Sequence, residues 1–310
     1  MDILLGVLPT VLPVAASLLI GVVLRRSGLM SREGVNAIKT IVSNVTLPAL
    51  LLGIFARVDY SPYSLIQTAM VYLMCMASVY LGRLLQKPLG LKSPFAPMTC
   101  AGYEGGMLGY ALLALLYGAG NSAEFAVLDL GGGLFINTIF RIQLNQISSR
   151  KSSGREIVRE VFTSPAVLGI LGGVLLGATG IYARLPQWGL EEIFTDVTDF
   201  IGAPTSAIIL FSVGYDLSFA ELKKPACLKT LLLRLCTQVV MLALAIPFCL
   251  FVLHTTQMTI NALILLCLLP CSYMLPVFSD EPEERSYISG AISVQTIFTI
   301  LAFAVMAVIG

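Results

Sequence analysis

Two short stretches of this sequence combine residue types that could bind an ion or a small molecule. The first, Gly102–Tyr110, holds four glycines and the carboxylate of Glu104 within nine residues. The second, Pro270–Pro276, has two prolines on either side of polar side chains. Glycine lowers helix stability and proline removes a backbone hydrogen bond, so both stretches are expected to interrupt helices. The freed N–H groups would favour an anion, whereas Glu104 could bind a proton or a cation.

Two further ionisable residues lie within apolar surroundings. Asp129 precedes the glycines 131–133, and Arg234 lies about two turns into another apolar run. Arginine in such a position neutralises a carboxylate or extends its side chain to the aqueous surface, and we favour the second for Arg234. We expect Lys39, near the start of an apolar run, to extend to the surface in the same way.

Familiar catalytic motifs are missing from the sequence. It has no H-E-x-x-H, G-x-S-x-G, P-loop or C-x-x-C pattern. His254 is the only histidine, and the seven cysteines lie in or beside apolar runs, where they resemble small hydrophobic residues. We therefore expect neither an enzyme nor a bound metal or cofactor.

The composition places these residues in a membrane. Of 310 residues, 57% are hydrophobic and 12% are charged, and the mean hydropathy is +0.88. A soluble domain carries about 25% charged residues, so soluble enzyme folds are excluded. The net charge of +1 argues against a nucleic-acid partner. Function must therefore lie within the bilayer.

The apolar runs predict an all-α fold of ten transmembrane helices. Their approximate bounds are 4–24, 34–56, 62–82, 95–118, 123–143, 164–184, 195–215, 228–251, 259–279 and 286–309. Fifteen of the nineteen Lys and Arg residues lie in the odd-numbered connections and two in the even-numbered ones. The positive-inside rule makes the odd connections cytoplasmic, so both termini are predicted outside, in what we expect to be a bacterial cytoplasmic membrane.

The polar connection 144–160 divides the spans into two sets of five. Aligning 12–28 with 164–180 matches Gly21 to Gly173 and Gly28 to Gly180, and 48–55 resembles 204–211. Five spans per half make the halves inverted, an arrangement found in secondary transporters. The predicted domains are a first repeat 1–143, a cytoplasmic connection 144–160 and a second repeat 161–310.

In such transporters the substrate site lies near the bilayer midplane between discontinuous helices, here the fourth and ninth spans. The candidate substrate-binding residues are Tyr103, Glu104, Gly105, Gly106, Pro270, Cys271, Ser272, Tyr273, Pro276, Asn44, Asn137 and Gln295. The candidate residues for a coupling ion, proton or sodium, are Glu104 and Asp129. The alternatives are a glycine-packed interface, a proline kink, and polar side chains that only hydrogen-bond neighbouring helices.

Three segments carry a family resemblance. The segments 28–50, Tyr103–Tyr110 and 269–289 resemble the auxin efflux carrier family, which includes plant auxin carriers and bacterial malate and malonate permeases. The resemblance extends over essentially the whole chain. It implies elevator-type transport of a small organic anion, a carboxylate or an auxin-like molecule. It also implies a scaffold of spans 1, 2, 6 and 7, and a moving unit of spans 3–5 and 8–10 with helices 4 and 9 crossing at the site.

Two positions depart from the family pattern. Glu104 stands where the family usually has asparagine, and Tyr110 stands where a proline usually follows the glycines. An ionised Glu104 would repel a carboxylate, yet an acid in this place suits proton coupling. Carriage of a cationic or neutral solute, a channel, and a ligand-gated sensor on the same fold remain open alternatives. Small residues such as Gly169, Gly172, Gly173 and Gly177 could pack helices within the chain or in a homodimer.

Overall fold

The described part of the chain folds into ten principal helical segments in a computed structural model, which describes residues 2–148, 159, 162–217, 219–279 and 281–309. They are α1 (Asp2–Ser27), α2 (Arg32–Ala56), α3 (Pro62–Gln86), α4 (Gly105–Tyr117), α5 (Ala119–Ile147), α6 (Pro165–Ala178), α7 (Glu191–Asp216), α8 (Pro225–Phe251), α9 (Gln257–Leu268) and α10 (Pro282–Ile309). Most of the predicted connection 144–160 lies outside the described residues.

Several of these helices have the length and composition of membrane spans. Seven described helices qualify: α1, α2, α3, α5, α7, α8 and α10. An eighth is reached if α6 is counted with the 3-10 helix Tyr182–Trp188, to which it is bent by 71°. The chain is therefore an integral membrane protein built from helices, and ten crossings remain a prediction.

The helices α4 and α9 are the two shortest of the ten principal helical segments in the described part of the chain. With 13 and 12 residues they reach about 18–20 Å at 1.5 Å per residue, less than the roughly 30 Å of a bilayer core. A 3-10 helix, Pro97–Cys100, precedes α4, and another, Leu275–Phe278, follows α9. The fourth and ninth apolar runs are thus each divided by irregular backbone, at the glycines in one and at Pro270 in the other.

Glycines set the closest helix contacts. A Cβ atom at Gly173 of α6 would overlap the backbone of α2 at Leu52–Ala56, and one at Gly21 of α1 would overlap α7 at Phe211–Tyr215. The sequence alignment matches Gly21 to Gly173, and the facing segments of α2 and α7 lie within three residues of the match of 48–55 to 204–211. Gly28 and Gly180, also paired, both have positive φ, at 68° and 71°. Four glycines of α6 face α2, and the last of them also meets Tyr60, so they pack within the chain: Gly169, Gly172, Gly173 and Gly177.

The helices form two groups by their packing. The helices α1, α2, α6 and α7 lie mainly against one another, and so do α3, α5, α8, α9 and α10. The helix α4 contacts both sets, α5, α9 and α10 in one and α1 and α7 in the other, and we count it with the second. Charged groups fasten one end of the first set. Lys39 and Arg32 of α2 both pair with Asp216 at the end of α7, and Arg25 of α1 donates to the carbonyl of Leu217 at 2.9 Å. The Lys39 side chain, predicted to extend to the membrane surface, lies in this group of charges and pairs with Asp216.

Candidate functional site

The backbone is irregular on both sides of Glu104. The 3-10 helix Pro97–Cys100 ends in extended backbone, and Gly102 has φ +71°, a left-handed conformation that glycine adopts at little cost. A Cβ atom at Gly102 would lie 3.3 Å from the side chain of Ile136 in α5, so the segment also passes close to α5. The helix α4 then starts with a π-helical turn, Gly105–Gly109. We call residues 99–104, the end of the 3-10 helix and the extended backbone after it, the α4 break.

A second irregular segment follows α9. Leu269 has ψ 153°, so the chain leaves the helix in extended conformation at the residue before Pro270, where proline disfavours the helical conformation. Irregular backbone continues until Leu275 begins the next 3-10 helix. We call residues 269–274 the α9 break.

The two breaks meet through two hydrogen bonds. The N–H of Glu104 donates to the carbonyl of Pro270 at 3.0 Å. In return, the N–H of Tyr273 donates to the carboxylate of Glu104 at 2.7 Å. A charge-assisted hydrogen bond of this length is among the stronger polar contacts in proteins. Glu104 therefore joins the breaks through both its backbone and its side chain.

Three consecutive carbonyls at the end of α9 receive donors from three different segments, namely α10, α8 and the α4 break. The hydroxyl of Thr299 in α10 donates to Leu268 at 2.5 Å, and the guanidinium of Arg234 in α8 donates to Leu269 at 2.8 Å. Pro270 accepts the N–H of Glu104, as described above. Unpaired carbonyls at this depth would cost several kcal/mol each, so these donors allow the helix to end inside the protein.

The side chain of Arg234 lies in the interior and not at the surface. It is only 2% exposed, and besides Leu269 it donates to the carbonyl of Thr99 at 2.6 Å. Its guanidinium also lies 5.5 Å from the ring centre of Tyr103. The expectation that Arg234 extends to the cytoplasmic surface is wrong, because the carbonyl ends of two helices offer it acceptors inside. In the described part of the chain it bonds to those carbonyls and to neither Glu104 nor Asp129.

Tyr103 and Gln238 complete the buried polar contacts of the α4 break. The Tyr103 hydroxyl donates to Gln238 of α8 at 2.9 Å, and the Gln238 amide donates to the carbonyl of Cys100 at 2.6 Å. All four atoms lie in the interior. Gln238 thus forms an interhelical bond between α8 and the segment that precedes α4.

Two carboxylates flank Gly105. Glu104 precedes it, and a Cβ atom at Gly105 would overlap the carboxylate of Asp129 from α5. Both acidic residues are half-buried. Among the described residues, neither forms an ion pair with a basic side chain. The described residues include no group of three or more His, Cys, Asp or Glu arranged to hold a metal ion.

The remaining candidates divide into those at the breaks and those elsewhere. The N–H of Cys271 donates to the side-chain oxygen of Gln295 at 2.9 Å, and the Tyr273 hydroxyl lies 3.3 Å from that of Thr296. The buried Ser272 hydroxyl accepts the N–H of Met274 at 3.4 Å, and Pro276 lies in the following 3-10 helix. Gly106 faces Leu47 of α2. Asn44 and Asn137 donate within their own helices, to Thr40 at 2.7 Å and to Gly133 at 2.9 Å.

Two amide donors of the α9 break are therefore already bonded to this chain's own side chains. Tyr273 N–H donates to Glu104 and Cys271 N–H to Gln295. An anion that used either donor would have to displace its acceptor, and the carboxylate of Glu104 is the acceptor that a proton can neutralise. Sequence reasoning missed the role of Thr299, although it lies one helical turn after Gln295 on the same face of α10.

Comparison with known proteins gives one relevant similarity. No family model matches the sequence. The chain is 24% identical over 318 residues to a protein of Methanothermobacter thermautotrophicus named "Uncharacterized transporter", and the alignment covers 99% of each chain. Together with the membrane-length helices, this end-to-end similarity supports an integral membrane protein of the transporter class.

Proposed function

We propose that this protein is a secondary active transporter of a small organic anion, with Glu104 as the group that binds a coupling proton. The observation that carries the proposal is the hydrogen bond from Tyr273 N–H to the Glu104 carboxylate across the two breaks. This bond pairs a titratable acceptor, the Glu104 carboxylate, with a backbone N–H that would otherwise be free to bind an anion. The resemblance to the auxin efflux carrier family suggests a carboxylate or auxin-like substrate.

Protonation and anion binding are coupled by competition for the same donor. While Glu104 is ionised, it accepts the Tyr273 N–H and repels a second carboxylate. A proton on Glu104 removes its charge and makes it a weaker acceptor, so the N–H becomes free for the substrate. Loss of the proton restores the original contact and expels the anion. One proton would then accompany each substrate anion.

The motion that we propose is of the elevator type. The two packing groups support a scaffold of α1, α2, α6 and α7 and a moving unit of α3, α4, α5, α8, α9 and α10. The matched glycine contacts of α1 with α7 and of α6 with α2 support two inverted halves. Within this proposal the odd connections are cytoplasmic and the termini lie outside.

A cationic solute is a second candidate, and one observation favours it. Glu104 and Asp129 lie on either side of Gly105 without a basic partner among the described residues. Two carboxylates in a half-buried site attract positive charge. In this alternative an amine binds at the Glu104 carboxylate, where the anion proposal places the coupling proton.

A ligand screen followed by counterflow tests these alternatives. The purified protein is heated with small carboxylates (malonate, malate and an indole acetate), with amino acids and with amines, at pH 5.5 and 7.5. A ligand of the folded state raises the melting temperature. The anion model predicts stabilisation by a carboxylate, stronger at the lower pH, and saturable counterflow of that compound in proteoliposomes. Stabilisation by amines alone would favour the cation, and binding without counterflow would contradict transport.

A further inference from the structure

One buried guanidinium contacts both breaks. Arg234 donates to Thr99 at the start of the α4 break and to Leu269 at the start of the α9 break, at 2.6 and 2.8 Å. The two acceptors are 170 positions apart in the sequence, and α8 reaches both from one side chain. We propose that Arg234 is a positioning residue that fastens the two breaks to each other, so that they open and move as a single unit.

The position of the charge fits this role. A buried cation is costly unless it is paired or fully hydrogen-bonded. The positive charge of Arg234 is stabilised by carbonyls at the ends of two helical segments, where partial negative charge accumulates, and by the ring of Tyr103. The planar guanidinium presents several donors in a fixed arrangement, so it can hold two carbonyls at once, which the single ammonium of lysine does poorly.

The neighbouring contacts separate the effects on each break. Gln238 lies one helical turn after Arg234 and contacts only the α4 break, through Cys100 and Tyr103. Thr299 of α10 contacts only the end of α9, at Leu268. Arg234 alone among these three contacts both breaks. This inference rests on the contacts themselves and holds whether or not Glu104 carries a proton.

Hydrogen exchange of the purified protein measures the linkage directly. The readout is exchange in peptides spanning 99–109 and 268–275, compared with peptides of α2 and α7. Losing a charge-assisted hydrogen bond of about 1.5–3 kcal/mol corresponds to roughly a 10- to 150-fold faster local opening. We expect Arg234→Lys to speed exchange in both peptides by at least about tenfold. Because the fastened breaks open together, Gln238→Leu and Thr299→Val, each of which weakens one break, should also speed exchange in both peptides while Arg234 is present.

Controls distinguish positioning from general stabilisation. Arg57→Lys changes an arginine in a surface ion pair with Asp199 and should leave both peptides unchanged. Faster exchange in only one break, or equal acceleration throughout a folded Arg234→Lys protein, would overturn the proposal. If that variant does not fold, Gln238→Leu and Thr299→Val still decide. Acceleration confined to the break that each variant weakens would overturn the proposal.

The pH profile of transport provides a readout that a purely structural role would not change. If Arg234 positions Glu104 on the Tyr273 amide, folded Arg234→Lys should shift the pH profile of uptake, whereas Arg57→Lys should not. Should no uptake be found even in the wild type, the proposed function fails while the exchange experiment still tests the role of Arg234.

Discussion

The carboxylate of Asp129 packs directly against Gly105. The residue at position 105 needs no side chain because the carboxylate from α5 occupies the space where a Cβ would lie. Its neighbour Glu104 directs its own carboxylate to Tyr273 instead. The absence of a Cβ at position 105 thus lets an acid from α5 approach the first turn of α4.

A substitution at this glycine should be costly. Gly105→Ala places a methyl group on the Asp129 carboxylate, and overpacking of this kind costs about 1–3 kcal/mol. We expect a lower thermal unfolding temperature in detergent and weaker ligand-induced stabilisation. Gly106→Ala is the matched control, because its Cβ would only touch Leu47, at 3.8 Å. Equal unfolding temperatures for the two variants would contradict this description of the site.

At the scale of elements, the sequence predicts the breaks better than the contacts that stabilise them. Glycine and proline act on their own backbone, so the interruptions at Gly102–Gly109 and at Pro270 follow from residue type. The groups that accept hydrogen bonds from Arg234 are the backbone carbonyls of Thr99 and Leu269. Every residue has a backbone carbonyl, so no sequence pattern identifies these two as acceptors. Sequence reasoning therefore fails for the orientation of Arg234 towards the interior, and it does not reveal that the amides of Asn44 and Asn137 donate within their own helices.

The matched helix crossings lead to a prediction for two glycines. Gly21→Ala and Gly173→Ala should each destabilise the protein by about 1–3 kcal/mol, because both added methyl groups meet backbone of the facing helix. Gly133→Ala in α5 is the control: its Cβ would meet nothing within 4 Å, and alanine gains up to about 1 kcal/mol of helix propensity. Thermal unfolding in detergent measures all three. A large difference between Gly21→Ala and Gly173→Ala would argue against equivalent crossings.

For the whole molecule, the elevator proposal requires α4 to move past α2. Gly106 of α4 faces Leu47 of α2, one residue from each packing group. We predict that cysteines at these two positions, joined by a short thiol-specific crosslinker in a background with the exposed Cys236 replaced by serine, abolish uptake. Cleaving the crosslinker should restore uptake. Full uptake by the crosslinked protein would rule out movement of α4 relative to α2.

The central claim is that Glu104 couples the proton to the anion, and proton movement measured during transport tests it most directly. Proteoliposomes containing a pH-sensitive dye receive the carboxylate identified in the ligand screen, and internal acidification is recorded. The wild type should acidify the interior as substrate enters. Glu104→Gln should retain substrate exchange without acidification. Glu124→Gln changes a carboxylate that accepts the hydroxyls of Thr256 and Thr259, away from the two breaks, and should behave as the wild type. Undiminished substrate-dependent acidification by Glu104→Gln would contradict the claim.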